Sequence, residues 1–371
     1  MASSPAAVER QIVAERLTSQ LLTGPPSATA EGVAERLLAI QGQDPRGARL
    51  AVRGRTEGLT AAAVDHGLSD ERSLLITWLC RGTLHLVRTE DYTWLHMLTT
   101  PPLRTANARR LAQEGVSPAA AERGVDVIER SLADEGPLSR AQLRERIAAA
   151  GVRTEGQALV QVLLLASLRG LIVRGPMIGS EQVYVLVRDW LGERGGAAAP
   201  GAMQRRERGG AAAPAAMQRD RALEELARRY LRGHGPADER DLARWAGLPL
   251  RDARRGLEGI ASELVQRHDG LVDLRSRPPA GELPPPRLLG AFDPLLLGWC
   301  SRDAIVGKQN TIVTVNGLFR PFALVRGRAE AVWTLQGGKV TIAPFGRLTC
   351  ADTAALETDA SDVQRFLGRP E

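Results

Sequence analysis

Lysine is almost missing from this 371-residue chain, occurring only at positions 308 and 339, so nearly all of its positive charge is arginine. Chemistry that forms a Schiff base through a side-chain amine is thereby confined to two residues near the C-terminal end. Cysteine is scarce as well. Cys80, Cys300 and Cys350 are widely spaced and odd in number, which argues against both a disulfide framework and a CxxC metal site and makes a reducing cytoplasm the expected location. His66, His96, His234 and His268 stand at no metal-ligand spacing with any Cys or carboxylate, so neither a metal nor another cofactor is expected. Nowhere do 18 uncharged apolar residues run together, and the N-terminal MASSPAAVERQIVAERL carries Glu and Arg where a secretory signal needs an apolar core. No membrane partner is expected.

What is present is a net charge of +6, which favours a polyanionic partner, in a chain long enough for more than one domain. RGGAAAPGAMQR at 194–205 recurs as RGGAAAPAAMQR at 208–219, a period of 14 residues, and 191–220 is therefore expected to be a flexible insertion without an apolar face. On either side of it a fainter repeat appears. GPLSRAQLRERIAAAGV (136–152), with Ser139 as a cap, is a short helix; EGQALVQVLLLASLRGLIVRG continues as a longer one; QVYVLV (182–187) is extended. GPADERDLARWAGLPLRDARRGLEGIASELVQRHDGLVDL (235–274) repeats that order. Helix, turn, helix and hairpin in succession is the winged-helix plan. SATAEGVAERLLAI (27–40) and TAAAVDHGLS predict two more helices and TLHLV (83–87) a strand, so the first block reads the same way.

Beyond Pro284-Pro285-Pro286 the apolar period becomes two: TIVTVNGLF, FALVRG, AEAVWTL and GKVTIAPF predict short strands with turns at Asn316-Gly317 and Gly337-Gly338. The expected fold is α+β: tandem winged helix-turn-helix motifs with a small C-terminal β-sheet or barrel. Its blocks are 1–103 (winged-helix-like), 104–190 (second winged helix), 191–220 (insertion), 221–283 (third winged helix) and 284–371 (β-domain).

Residues 36–46, RLLAIQGQDPR, hold two glutamines two apart where an apolar helical run closes. Gly42 lets the helix end, Pro45 moves Asp44 out of the helical region, and residues two apart in an extended segment point the same way, so both amides can face one cavity. By residue chemistry alone, glutamines at such a position read as surface residues that cap carbonyls, and Asp44 as an Asx-type turn residue or a lesser candidate base.

LLAIQGQDPRGARLAVRGR, TWLCRGTLHLV, GHGPADERDLARWAGL and LLGAFDPLLLGWCSRD together resemble the AlkZ/YcaQ-type winged-helix DNA glycosylases. The resemblance covers most of the chain. It implies tandem winged helices against a C-terminal β-domain, a basic concave surface for double-stranded DNA, and excision of alkylated or crosslinked purines. It also puts Gln41 and Gln43 in the positions of two catalytic glutamines, the bacterial YcaQ type having Asp in the second place. Gly42 stands where the family usually has a larger apolar residue.

Two amides suit such a substrate. Alkylation at N7 or N3 makes the purine cationic, so it departs neutral without a general acid, and aimed hydrogen bonds suffice to hold water and the sugar-phosphate oxygens in line. With both lysines in the β-rich tail, monofunctional hydrolysis is expected. Arg46, Arg49, Arg53 and Arg55 follow the glutamines as phosphate contacts or as a solvated face. Arg81 reads as a phosphate contact and His85 as either a DNA neighbour or a core histidine. In VNGLFRPF (315–322), Asn316, Phe319 and Arg320 sit on a hairpin suited to the minor groove, while Phe319 and Phe322 read equally as core. Trp78, Trp94, Trp245, Trp299 and Trp333 read as core. A monomer is expected, acting in general alkylation repair or in self-resistance to a DNA-alkylating natural product. The rival readings are a non-catalytic winged-helix transcriptional regulator and a homologue that binds damaged DNA without cutting it.

Overall fold

The computed structural model describes residues 5–179, 181–192, 212–307, 309, 311–314 and 316–368. Two units are distinguished: Met1–Val64 with Leu223–Trp245 and Pro249–Glu371, and Asp65–Ala222 with Ala246–Leu248. The chain thus leaves its first unit after residue 64 and returns at 223, whereas the expected blocks were consecutive.

The first pass through unit one holds α1 (Pro5–Ser19), α2 (Ala30–Leu37), the two-residue strand β1 (Ile40–Gln41), α3 (Pro45–Arg53) and the start of α4 (Ala61–Ser69). Thr29 opens α2 by accepting from the Gly32 N–H at 2.9 Å. Ala30, Val33, Ala34 and Leu37 bury one face at helical spacing. The helix expected over 27–40 ends at Leu37, because Leu38 turns left-handed at φ 64°. Burial explains the stop: Leu37, Leu38 and Ile40 are all fully buried, and a continuing helix would send them in different directions. Gln41 therefore ends a short extended segment, with Gln43 two residues beyond, and neither closes a helix. Asp44 caps α3 and Pro45 occupies its first turn, where a missing N–H costs nothing.

Unit two carries β2 (Leu74–Leu79), β3 (Thr83–Arg88), α5 (Thr89–Thr99), α6 (Pro101–Gln113), α7 (Pro118–Glu135), α8 (Arg140–Ala149), α9 (Ala158–Leu168), β4 (Ile172–Ile178), β5 (Glu181–Leu186) and α10 (Val187–Leu191). β2 pairs antiparallel with β3 from Leu74↔Arg88 to Leu79↔Thr83. On its other side β2 meets β4, which pairs in turn with β5. The expected cap of α8 is present as a reciprocal capping box between Ser139 and Gln142. LIVRG, expected to extend the second helix, is strand instead. Gly170, at φ 72°, ends α9, and the β-branched Ile172 and Val173 enter the sheet. Trp78, Ile128, Leu143, Ile147, Leu159, Val162 and Tyr184 share this unit's core.

The chain returns through α11 (Ala212–His234), α12 (Glu239–Ala246), α13 (Leu250–Gly259), β6 (Leu264–Gln266), β7 (Val272–Leu274) and β8 (Arg287–Leu289). Then come α14 (Asp303–Val306), β9 (Phe322–Val325), β10 (Arg328–Gln336), β11 (Lys339–Pro344) and α15 (Cys350–Phe366). The expected insertion lies partly outside the described residues, but from Ala212 onward its second copy is helical. Ala, Met, Gln and Arg are strong helix formers, and Pro214 falls in the first turn, where proline is tolerated. β8, β9, β10 and β11 form an antiparallel sheet in the order β11-β10-β9-β8, open rather than closed into a barrel. The expected Gly337-Gly338 turn joins Gln336 to Lys339. Among the described residues TIVTVNGLF makes no strand, only a turn whose Val313 and Phe319 form a single bridge. α15 replaces an expected β-rich end, held by a Thr349–Asp352 capping box and by buried Leu356, Val363 and Phe366. Trp245 and Trp299 are core residues as expected: Tyr230, His234, Trp245 and Trp299 form one buried ring cluster, with the Arg16 guanidinium 4.3 Å from the Trp299 centroid. Among the described residues no helix is long and apolar enough to cross a membrane.

Candidate active site

Gln41 ends β1 with its side chain 5% exposed, and Gln43, two residues on, is exposed. Their amides meet: Gln41 Nε2 donates to Gln43 Oε1 at 2.6 Å. That bond uses one of the two lone pairs on Gln43 Oε1 and leaves the Gln43 NH₂ group as a donor on an exposed side chain. The pair is thus graded, one amide set in the protein and the other at the surface. Asp44 is committed elsewhere, since its Oδ1 accepts from the Arg46 N–H at 2.9 Å as the N-cap of α3.

The loop is short and both its ends are held. Upstream lie the fully buried Leu38 and Ile40; downstream α3 is buried on every residue from Gly47 to Arg53. Gly47 has no room for a side chain, because a Cβ there would stand 2.3 Å from the Ala291 carbonyl oxygen. Gly290 faces it, its own missing Cβ 3.0 Å from the Gly47 oxygen. The first turn of α3 therefore packs backbone to backbone against residues 290–291. One step further, Asp293 is fully buried and paired with Arg55, also fully buried. All five guanidinium N–H groups of Arg55 are used: Nη1 on Ala51 O and Asp293 Oδ2, Nη2 on Asp293 Oδ1 and Gln20 Oε1, Nε on Gln20 O. Arg53 binds Asp359, Asp362 (2.8 Å) and the Leu288 carbonyl (2.9 Å), tying α3 to α15. Arg53 and Arg55, read from the sequence as phosphate contacts or as a solvated face, are instead buried fasteners of α3.

Residues 34–366 match the family described as DNA glycosylase AlkZ-like. This chain belongs to that family. It is 26% identical over 388 aligned residues to the interstrand DNA cross-link repair glycosylase of Streptomyces sahachiroi, covering 97% of this chain and 96% of the relative. The solved structure of the S. sahachiroi DNA glycosylase AlkZ superposes with a TM-score of 0.74 at 23% identity, across 100% of this chain and 98% of that one, a likeness of fold.

The remaining candidate residues of this AlkZ-like chain divide by unit. Arg46 is exposed beside the glutamines. Arg49 is 8% exposed and its Nη1 donates to Pro45 O at 2.9 Å, so it is an interior residue of α3, not part of a solvated face. Asn316 and Arg320 are exposed on the 311–320 turn, whereas Phe319 is partly buried, its ring 5.5 Å from that of Phe292 and 5.3 Å from the Arg302 guanidinium. Arg81 and His85 belong to unit two. Arg81 is partly buried at the β2–β3 turn. His85 is 3% exposed, and its Nδ1–H donates to Thr83 O at 2.9 Å, which leaves Nε2 to accept from Thr83 Oγ1. Burial, reinforced by the charge of Arg81, pushes its pKa down to about 3, so the ring is neutral. Of its two readings, this is the core histidine. Lysine 339 is exposed at the start of β11, and Lys308 lies outside the described residues. Among the described residues no group of three or more His, Cys, Asp or Glu is arranged to hold a metal ion.

Sequence reasoning missed Asp293, Phe292 and the Gly47–Gly290 contact. The signal was available in LLGAFDPLLLGW, where Gly, Asp and Pro interrupt an apolar run that would otherwise read as a buried helix.

Proposed function

We propose that this protein is a monofunctional DNA glycosylase that hydrolyses the N-glycosidic bond of N-alkylated purines in double-stranded DNA, N7-alkylguanines and interstrand crosslinks among them. The observation that carries the reading is the Gln41–Gln43 hydrogen bond at the end of a rigidly held loop. A cationic purine leaves as a neutral molecule, so no proton has to be delivered to it. The second lone pair of Gln43 Oε1 is positioned to accept from an attacking water, and the negative end of the same dipole stabilises the oxocarbenium-like sugar. The Gln43 NH₂ donates to a sugar or phosphate oxygen and fixes the nucleotide against that water. Gln41 orients Gln43 through Nε2.

Arg46 and Arg320 are read as phosphate contacts and Asn316 as a minor-groove neighbour; Arg81, in unit two, is read separately as a phosphate contact. The runs α8–α9–β4–β5 and α12–α13–β6–β7, both helix–helix–hairpin, are each read as a winged helix, a DNA-binding motif. Self-resistance to a DNA-alkylating natural product follows if the host makes one. The regulator reading is not favoured, because family membership and the cross-link repair relative both point to base excision. The test is release of free base from duplexes carrying a single N7-alkylguanine or one interstrand crosslink, with abasic sites revealed by alkali. Base release by the wild type and its loss in Gln41→Ala and Gln43→Ala supports the proposal. A sequence-specific footprint without base release overturns it, and a borohydride-trapped covalent adduct overturns the monofunctional assignment.

A further inference from the structure

Phe292 follows Ala291, whose carbonyl packs on Gly47 of α3, and its ring meets that of Phe319 on the 311–320 turn. Its φ is 57°, a left-handed conformation that a bulky L-residue rarely adopts. Its neighbours hold it there. Ala291 is clamped by its carbonyl against Gly47, the third residue of the helix that Asp44 caps, and Asp293 is locked in the fully buried pair with Arg55. Both flanking residues are buried, while the Phe292 ring is only partly so and lies 5.5 Å from the ring of Phe319. Phe319 is covered in turn by the Arg302 guanidinium. At the end of this series the side chain of Leu318 is 57% exposed on a turn closed by Thr314 N–H to Leu318 O and Gly317 N–H to Thr314 O, both 2.9 Å. A large apolar residue held outward beside two exposed polar ones, Asn316 and Arg320, has the make-up of a wedge against stacked bases.

We propose that Phe292 is a positioning residue: through the Gly47–Ala291 contact on one side and Phe319 on the other, it makes the glutamine loop and the 311–320 turn one rigid body, with Leu318 rather than Phe319 as the residue that meets DNA. The inference rests on the glycosylase reading for its purpose, but the mechanical link stands without it. A near-attack geometry needs the water-holding amide and the group that props the duplex open to keep a fixed separation, and misplacement of about 1 Å is enough to cost on the order of a hundredfold in rate. The two rings meet at an interplanar angle of 43°, within the range of centroid distances at which aromatic pairs attract beyond their buried area.

Two measurements test it. Hydrogen exchange on the full chain without DNA compares Phe292→Ala with the wild type. The expected result is faster exchange in both 43–50 and 311–320, restored by Phe292→Tyr, which keeps the ring. Loss of protection confined to 290–293 overturns the link. Single-turnover and steady-state base release from an N7-alkylguanine duplex then separate positioning from folding. Phe292→Ala should lower kcat about tenfold or more with little change in KM, Phe292→Tyr should recover it, and Leu318→Ala should raise KM with the exchange pattern intact. A Phe292→Ala variant with wild-type kcat, beside an inactive Gln41→Ala, overturns the positioning role and leaves the glycosylase reading standing. A wild type that releases no base overturns that reading, while the exchange result still decides the link.

Discussion

Gln41 donates to Gln43, not the reverse: Nε2 of the buried amide is 2.6 Å from Oε1 of the exposed one. That direction assigns the roles, because the acceptor that remains for water is on Gln43. Gln43→Ala removes the acceptor and the outward NH₂ together and should cut single-turnover base release by about a hundredfold or more, the effect of deleting one preorganised transition-state contact. Gln43→Glu keeps an acceptor for the Gln41 N–H and adds a charge that favours the cationic transition state, so it should retain most of the rate. Equal activity of Gln43→Ala and wild type would remove Gln43 from the chemistry.

The Arg55–Asp293 pair is the structural counterpart of that site. Both groups are fully buried, and every Arg55 donor is matched. Removing one partner strands the other charge in the interior, which costs about 3–5 kcal/mol. Arg55→Ala and Asp293→Ala should each lower the urea midpoint of unit one by that equivalent. The double variant should be less destabilised than the sum of the two. Strict additivity in this cycle would mean that the two charges do not sense one another.

The exposed and buried classes of arginine looked alike before the fold was known. Arg46, Arg49, Arg53 and Arg55 form one run in the chain, yet only Arg46 is exposed. Asp359, Asp362 and Asp293, which capture Arg53 and Arg55, lie more than 230 positions away, and no local pattern announces such partners. Local signals fared better. The Ser139 cap and the Gly337-Gly338 turn were legible, because each is a transaction between near neighbours, whereas Asp44-Pro45 read as a stop and a turn and the helix it opens was not foreseen. The stop at Leu38 and the strand at Ile172 were not legible, since tertiary burial overrode helical spacing there. The pairing of two glutamines two apart was foreseeable from extended geometry; which one is buried was not.

His85 gives a pH prediction with a definite sign. Its folded pKa is pushed down to about 3 by burial, against about 6.5 for an unfolded histidine. Between those values the unfolded chain binds the extra proton, so the stabilisation from keeping this ring neutral is full above about pH 6.5 and is lost as pH falls toward 3. Linkage makes the loss from pH 7 to pH 5 about 2 kcal/mol for this one group. His96, pushed down to about 4 by burial, acts in the same direction. Urea unfolding of unit two followed at pH 7 and pH 5 should show that decline, and His85→Asn should flatten it. An imidazole signal for His85 that titrates near 6.5 in the folded protein would refute the assignment.

Salt dependence separates the arginines that touch DNA from those that hold the fold. Arg46, beside the glutamines, and Arg320, on the 311–320 turn, are both exposed, so each is free to displace a counterion from a phosphate. Replacing either by Ala should weaken duplex binding to a similar extent for any sequence and reduce the slope of log K against log salt by about 0.9 per lost contact, with thermal stability unchanged. Arg53→Ala should do the opposite. Its guanidinium is 4% exposed and bound to Asp359 and Asp362, so the loss falls on stability and the salt slope stays as in the wild type. Fluorescence anisotropy titrations from low to physiological salt, paired with melting curves, distinguish the two classes. If Arg46→Ala and Arg320→Ala both leave the slope unchanged, the duplex does not lie against this face, and the phosphate contacts must be sought on unit two around Arg81.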